Sequence, residues 1–206
     1  MCFNQIGHKV YINLNHRKDR RKAFLKEANR VGMKKVKRVE AVFDLLNGAR
    51  GCAASHIKAL QSVPNGSSIM VLEDDCFFTD QPFKLKEQFD SFFKHFQNNW
   101  DVFLLGGNYF KKTCSSNPFF YRIHESALTH SYIVNSHYIS KLKECFEKAY
   151  QAMSCGPEKM KDNLKRVNID FAWRELQKKD RWYAGKEKVA YQTESFSDID
   201  AELVQK

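Results

Sequence analysis

Two four-residue runs, Ile69-Met70-Val71-Leu72 and Val102-Phe103-Leu104-Leu105, are apolar at every position and stop abruptly, the first in Glu73-Asp74-Asp75 and the second in Gly106-Gly107. A strand that is apolar on both faces needs helices over both, so these runs predict central strands of a helix-covered sheet. They are far shorter than the ~20 residues that cross a bilayer. Around them the chain alternates. Strands are expected at 9–14, 36–41, 119–123 and 131–134, with helices at 17–31, 52–61, 83–97, 137–150 and 169–178, where apolar residues recur at helical spacing. Gly48-Ala49-Arg50-Gly51 reads as a breaker ahead of the 52–61 helix. The fold class is therefore α/β: a single Rossmann-like domain whose mostly parallel, mixed sheet is flanked by helices. No linker or repeat divides the 206 residues, and a chain of that length buries roughly 70% of its unfolded surface. Ligands of such sheets sit beyond the carboxyl ends of the strands, which is where the carboxylates and paired glycines stand.

Charge narrows the function classes. The chain carries 34 Lys and Arg against 24 Asp and Glu, a formal +10, but the excess is local. Residues 16–38 hold 11 basic and 2 acidic side chains, and the rest of the chain 23 and 22. A basic segment of this kind suits an anionic partner, whether nucleic acid, a membrane surface or the phosphates of a small ligand, or is simply a solvated helix face. An apolar fraction of 43% excludes a disordered chain. The six cysteines lie too far apart for zinc-finger or thioredoxin-like spacing and are expected to be buried small hydrophobes. The sequence opens without a charged lead and apolar core, so no secretory signal is read and a cytoplasmic location is expected.

Three constellations carry chemistry. In Val71-Leu72-Glu73-Asp74-Asp75 three carboxylates repel one another at the end of a buried strand. Residues i and i+2 of an extended segment point the same way, so Glu73 and Asp75 could share a hard divalent cation, or the triplet could be an acidic turn facing water. In Gly51-Cys52-Ala53-Ala54-Ser55-His56 small residues allow close approach, and Ser55 and His56 could donate to a nucleotide or phosphate, or simply edge a tightly packed helix. They are not a catalytic dyad, because adjacent helical side chains diverge. Asn13-Leu14-Asn15-His16-Arg17, followed by Arg20 and Arg21, leads from strand to helix. It is neither a dinucleotide fingerprint nor a phosphate loop, yet arginines at a helix start favour anions.

Taken together, Tyr11-Ile12-Asn13-Leu14 with Arg17 and Arg20, then Gly51 to His56, then Leu72 to Asp75, then Thr129-His130-Ser131-Tyr132-Ile133-Val134, resemble glycosyltransferase family 25 in order and spacing. This is the family of lipopolysaccharide and collagen β-galactosyltransferases. The likeness runs from about residue 8 to 135, with a weaker tail through Asp170 and Ser197-Asp198-Ile199. It implies a GT-A-type fold, a UDP-sugar donor, Mn2+ or Mg2+, inversion at the anomeric carbon, and a glycan, glycolipid or glycoprotein acceptor. By position it makes Asp75 the first metal ligand, with Glu73 and Asp74 assisting directly or through water. His130 becomes a further ligand or phosphate donor, and Asn13, Leu14, Arg17, Arg20, Ser55 and His56 the nucleotide shell. Gly106 and Gly107 would admit a sugar to the backbone. Asp170 is the expected base, with Asp198 in reserve. Residues 1–107 would form the donor and metal half and 108–206 the acceptor half. Asn15 stands where the family commonly has Asp, and Ala49-Arg50 where it has an acidic–aliphatic pair, departures that bear on the donor sugar. The competing readings are a nucleic-acid-binding module using residues 17–38, which leaves the acidic triplet without a purpose, and a metal-dependent phosphatase or nuclease. A peripheral membrane contact through the basic segment is compatible with the transferase reading; a nucleic-acid partner is not expected under it.

Overall fold

A computed structural model describes residues 2–154 and 168–193. Ten strands and six α-helices occur in the order β1 (His8–Asn13), α1 (Lys18–Arg30), β2 (Lys37–Glu40), α2 (Gly48–Gln61), β3 (Ile69–Glu73), β4 (Cys76–Phe78), α3 (Pro82–Phe96), β5 (Val102–Leu104), β6 (Asn108–Cys114), β7 (Phe120–Ala127), β8 (Ser131–Val134), α4 (Ile139–Ser154), α5 (Ile169–Ala172), α6 (Arg174–Lys179), β9 (Trp182–Gly185) and β10 (Ala190–Gln192). Eight strands form one sheet in the order β2-β1-β3-β8-β5-β9-β7-β6, and β4 and β10 form a separate pair. All strands of the large sheet run the same way except β7 and β8, which are reversed. The sheet interleaves the two halves of the chain: β8 lies between β3 and β5.

The apolar runs are the centre of this sheet, as their pattern required. Ile69 and Val71 face a core built with α2 and α4, while Met70 and Leu72 face a second core built with α1 and α3, and all four are fully buried. The second core is rich in phenylalanine. Phe92 of α3 stacks on Phe103 of β5 at 3.9 Å between ring centroids, with Phe89, Phe96 and Phe120 around them edge-on or tilted. Offset and T-shaped ring contacts add to the hydrophobic contribution of these large side chains.

Three local expectations are corrected. The segment 48–51 does not break the chain but begins α2, because Asn47 caps the helix by accepting from the Arg50 N–H at 3.0 Å. The helix expected at 169–178 is two short ones that meet at Trp173, a fully buried residue. The cysteines are not uniformly buried: Cys76 is, Cys52 and Cys145 are half-buried, and Cys114 is exposed on β6.

Candidate functional site

The site forms where β1 and β3 end beneath the loops leading to α1 and α2. Asn13, Leu14, Arg20, Ser55, His56 and the acidic triplet all line one cleft. The side chains do not serve it equally. Glu73 is the last residue of β3 and keeps the strand's alternation, so it points to the α2 side. There Thr129 Oγ1 donates to Glu73 Oε1 at 2.8 Å, and His56 Nε2 stands 3.4 Å from the same oxygen. Burial acts to raise the Glu73 pKa, but the His56 and Thr129 contacts outweigh it and hold this carboxyl below its usual value.

Strand geometry ends there. Asp74 and Asp75 form the turn into β4, so Glu73 and Asp75 do not point the same way; it is Asp74 and Asp75 that share a partner. Arg20 Nη1 donates to Asp74 Oδ1 at 3.1 Å and to Asp75 Oδ2 at 3.4 Å. The other oxygen of Asp74 accepts from Asn13 Nδ2 at 2.6 Å. Asp75 is held from the far end of the chain: Gln192 Nε2 donates to its Oδ2 at 3.2 Å, and Thr193 N to its carbonyl at 3.0 Å. Asp75 Oδ1 is buried and has no hydrogen-bond partner among the described residues. Burial, reinforced by repulsion from Glu73, pushes the Asp75 carboxyl up to about 6, and burial raises Asp74 as well.

Several residues assigned to the nucleotide shell are internal braces. Asn13 is 1% exposed; besides Asp74 it donates to the Arg17 carbonyl at 3.0 Å and accepts from Arg38 Nε at 3.0 Å. Ser55 Oγ donates to the Gly51 carbonyl at 2.7 Å and accepts from the Val42 N–H at 2.8 Å, tying the β2–α2 loop to the helix. His56 bonds Tyr132 Oη through Nδ1 at 2.9 Å. Arg17 forks onto Asp19 at 3.1 and 2.9 Å and faces an adjoining groove. At Gly106 the chain itself fills the space a side chain would take: a Cβ there would lie 2.1 Å from the Ala190 carbonyl oxygen and 2.6 Å from His130 Nε2. Its smallness serves chain packing. Gly107 has φ +144, a backbone that favours glycine. His130 is 2% exposed, packed against Gly106 and lies outside the cleft lining, and burial lowers its pKa.

Asp170 lies in the first turn of α5, and burial raises its pKa, with the Glu73 charge adding to the rise. Its Oδ2 accepts a long contact, 3.5 Å, from the Leu128 N–H. Asp198 lies outside the described residues. Sequence reasoning missed Arg38, Gln192 and Thr193, which reach the site only through long-range pairing. It also missed Asp44 with Arg50, for which the cap at Asn47 was a readable sign. The basic segment is not one face: Arg20 and Arg38 turn inward on Asp74, Asp75 and Asn13, whereas Lys18, Arg21, Lys22, Lys34, Lys35 and Lys37 are exposed.

Among the described residues no group of three or more His, Cys, Asp or Glu side chains is arranged to hold a metal ion. The triplet is therefore not a ready-made cage. What suits a hard divalent cation is one carboxylate oxygen, Asp75 Oδ1, since Mg2+ and similar ions often take one or two carboxylates and complete their shell with substrate phosphate and water.

The family model of glycosyltransferase family 25 (LPS biosynthesis protein) matches residues 33–156. A comparison with curated proteins gives no match. Among solved structures, the chain is similar to Drosophila β1,4-galactosyltransferase 7, a mutant in complex with manganese, UDP-Gal and xylobiose, at 10% identity over 97% of this chain and 80% of that one, with a TM-score of 0.45. It is also similar to a glycosyltransferase involved in glycosylation of the major capsid of PBCV-1, at 10% identity over 87% and 91%, TM-score 0.42. A nucleoside-diphosphate-sugar pyrophosphorylase from Vibrio cholerae RC9 matches at 18% identity over 87% and 72%, TM-score 0.41.

Proposed function

The chain belongs to glycosyltransferase family 25, and on that premise we propose that it moves a hexose from a UDP-sugar to a hydroxyl of a glycan or glycoconjugate, with inversion, using Mn2+ or Mg2+. The family's description as an LPS biosynthesis protein favours a lipid-borne saccharide as acceptor. The observation that carries the reading is the buried, unpartnered Asp75 Oδ1 on the lining of the cleft. A buried carboxylate oxygen without a donor is costly unless a ligand satisfies it.

Asp75 would hold the cation through this oxygen. Bound there, the cation supplies charge neutralisation of a departing diphosphate. Arg20 keeps the Asp74–Asp75 turn closed, and Asn13, clamped by Arg38, fixes Asp74 so that Asp75 keeps its direction. Asp170 is the proposed base, with Asp198 in reserve. Burial raises its proton affinity, which suits a group that must take the acceptor hydroxyl's proton.

Calorimetric titration tests the reading. UDP should bind about tenfold more tightly or better with Mn2+ present, and among UDP-, GDP- and dTDP-sugars the UDP-sugars should be hydrolysed in a metal-dependent way. UDP affinity indifferent to metal would remove the metal from the proposal.

A further inference from the structure

The loop between β2 and α2 forms one wall of the cleft and carries the most exposed large apolar side chains among the described residues, Leu46 at 84% and Leu45 at 73%, beside Phe43 at 56%. This loop is not slack. Asp44 Oδ1 accepts from the Leu46 and Asn47 N–H groups at 3.0 and 3.1 Å, the Asp44 carboxylate is paired with Arg50, and Ser55 Oγ accepts from the Val42 N–H at 2.8 Å. The backbone is thus pinned while the leucines are held out in water. A braced loop that presents apolar groups without burying them marks a contact surface. Its surroundings say what kind. The Phe43 ring packs edge-on against His16 at 5.3 Å, which sets the loop beside the opening of α1, where Lys18, Arg21 and Lys22 are exposed.

We propose that Phe43, Leu45 and Leu46, with the cations that open α1, dock the protein on the surface of an anionic phospholipid bilayer. Aliphatic side chains enter the headgroup–acyl boundary while lysine and arginine meet lipid phosphates. The exposed lysines and arginine beside the leucines match the charge of lipid phosphates lying just above the acyl boundary the leucines enter. The contact is superficial, since among the described residues no helix is long and apolar enough to cross a membrane. Docking by this loop seats the cleft at the lipid surface. Only that last consequence rests on the transferase reading, for which it presents the site to an acceptor hydroxyl carried on a lipid.

Sedimentation of the full chain with vesicles tests the docking without any turnover. The protein should bind vesicles containing one-third phosphatidylglycerol at low salt at least about tenfold better than pure phosphatidylcholine, and lose this preference in molar salt. Leu45→Ser/Leu46→Ser should weaken partition by about tenfold or more with melting temperature and UDP affinity unchanged. Lys18→Gln/Lys22→Gln should erase most of the preference for anionic vesicles. Absence of binding to anionic vesicles at low salt, or binding indifferent to the leucine pair, overturns the proposal. So does a leucine-pair variant that binds vesicles normally but has a raised KM for a soluble oligosaccharide, which would make the loop a glycan contact. Because UDP binding is read separately, loss of vesicle binding with UDP binding intact leaves the transferase reading standing, and the reverse result overturns only that reading.

Discussion

Two aspartates with arginine partners stand at the ends of central strands, and they are built in opposite ways. Asp101, just before β5 and 5% exposed, is saturated. Its Oδ2 accepts from the Arg181 backbone N–H at 2.7 Å, and its Oδ1 from Arg181 Nη2 and from His137 Nε2, both at 2.7 Å. Burial alone would raise its pKa, but these donors prevail and hold it below the usual value. Asp75, just after β3, shares one arginine nitrogen with Asp74 and keeps one oxygen bare, and its carboxyl is pushed up to about 6. The difference separates a carboxylate that supports the fold from one whose burden the fold must support. A group poised for a ligand is left incomplete in the protein itself.

The largest effect that could break this contrast is expected at the incomplete site. Asp75→Asn should lower sugar transfer by about a thousandfold or more, yet leave the melting temperature at neutral pH unchanged or a few degrees higher. A loss of activity that tracks unfolding would make Asp75 a structural residue like Asp101. Asp170→Asn should reduce kcat by about a hundredfold with UDP affinity within a factor of about two; equal losses in both would argue against a base. Asp101→Ala should do the converse, costing about 2–3 kcal/mol, or roughly 5–10 °C in melting temperature, while UDP affinity stays at the wild-type value.

The smallest effect, and the sharpest in sign, is the pH dependence. The folded-state pKa of Asp75 lies above its unfolded value, so its contribution to stability is fullest below about pH 4 and is lost as pH rises through about 6. Asp101 has a depressed folded pKa, so its contribution is present above the unfolded value and is lost as pH falls through the folded one. Measured by thermal denaturation against pH, Asp75→Asn should therefore gain stability over wild type as pH rises from about 4 through 6, whereas the deficit of Asp101→Ala should shrink as pH falls below the ordinary aspartate range.

Much of the frame was legible because β3 and β5 are apolar on both faces, and only a helix-covered sheet accepts such segments. The acidic triplet was legible for the same reason: carboxylates at the end of a buried strand are anomalous. What escaped was set by long-range pairing. β9, Trp182–Gly185, lies inside the sheet between β5 and β7, but it is four residues long and flanked by charged residues, with no pattern of its own. β6 is almost wholly exposed, so no alternation betrays it. The internal contacts of Asn13 and Ser55 were not legible because a buried amide or hydroxyl looks the same in sequence whether it meets a ligand or a neighbouring strand. Only Arg38 and Val42, delivered by β2 and the loop after it, show that these groups are already engaged.

The pairing of β4 with β10 has a consequence in time. Asp75 is oriented by Gln192 and Thr193, and 118 residues separate Asp75 from Thr193. At a synthesis rate of about 5–20 residues per second, roughly 6–24 s pass between the emergence of the two. Through that interval the nascent chain carries its acidic turn without the strand that aims it, so the turn takes its final geometry only once nearly all of the sheet has been translated.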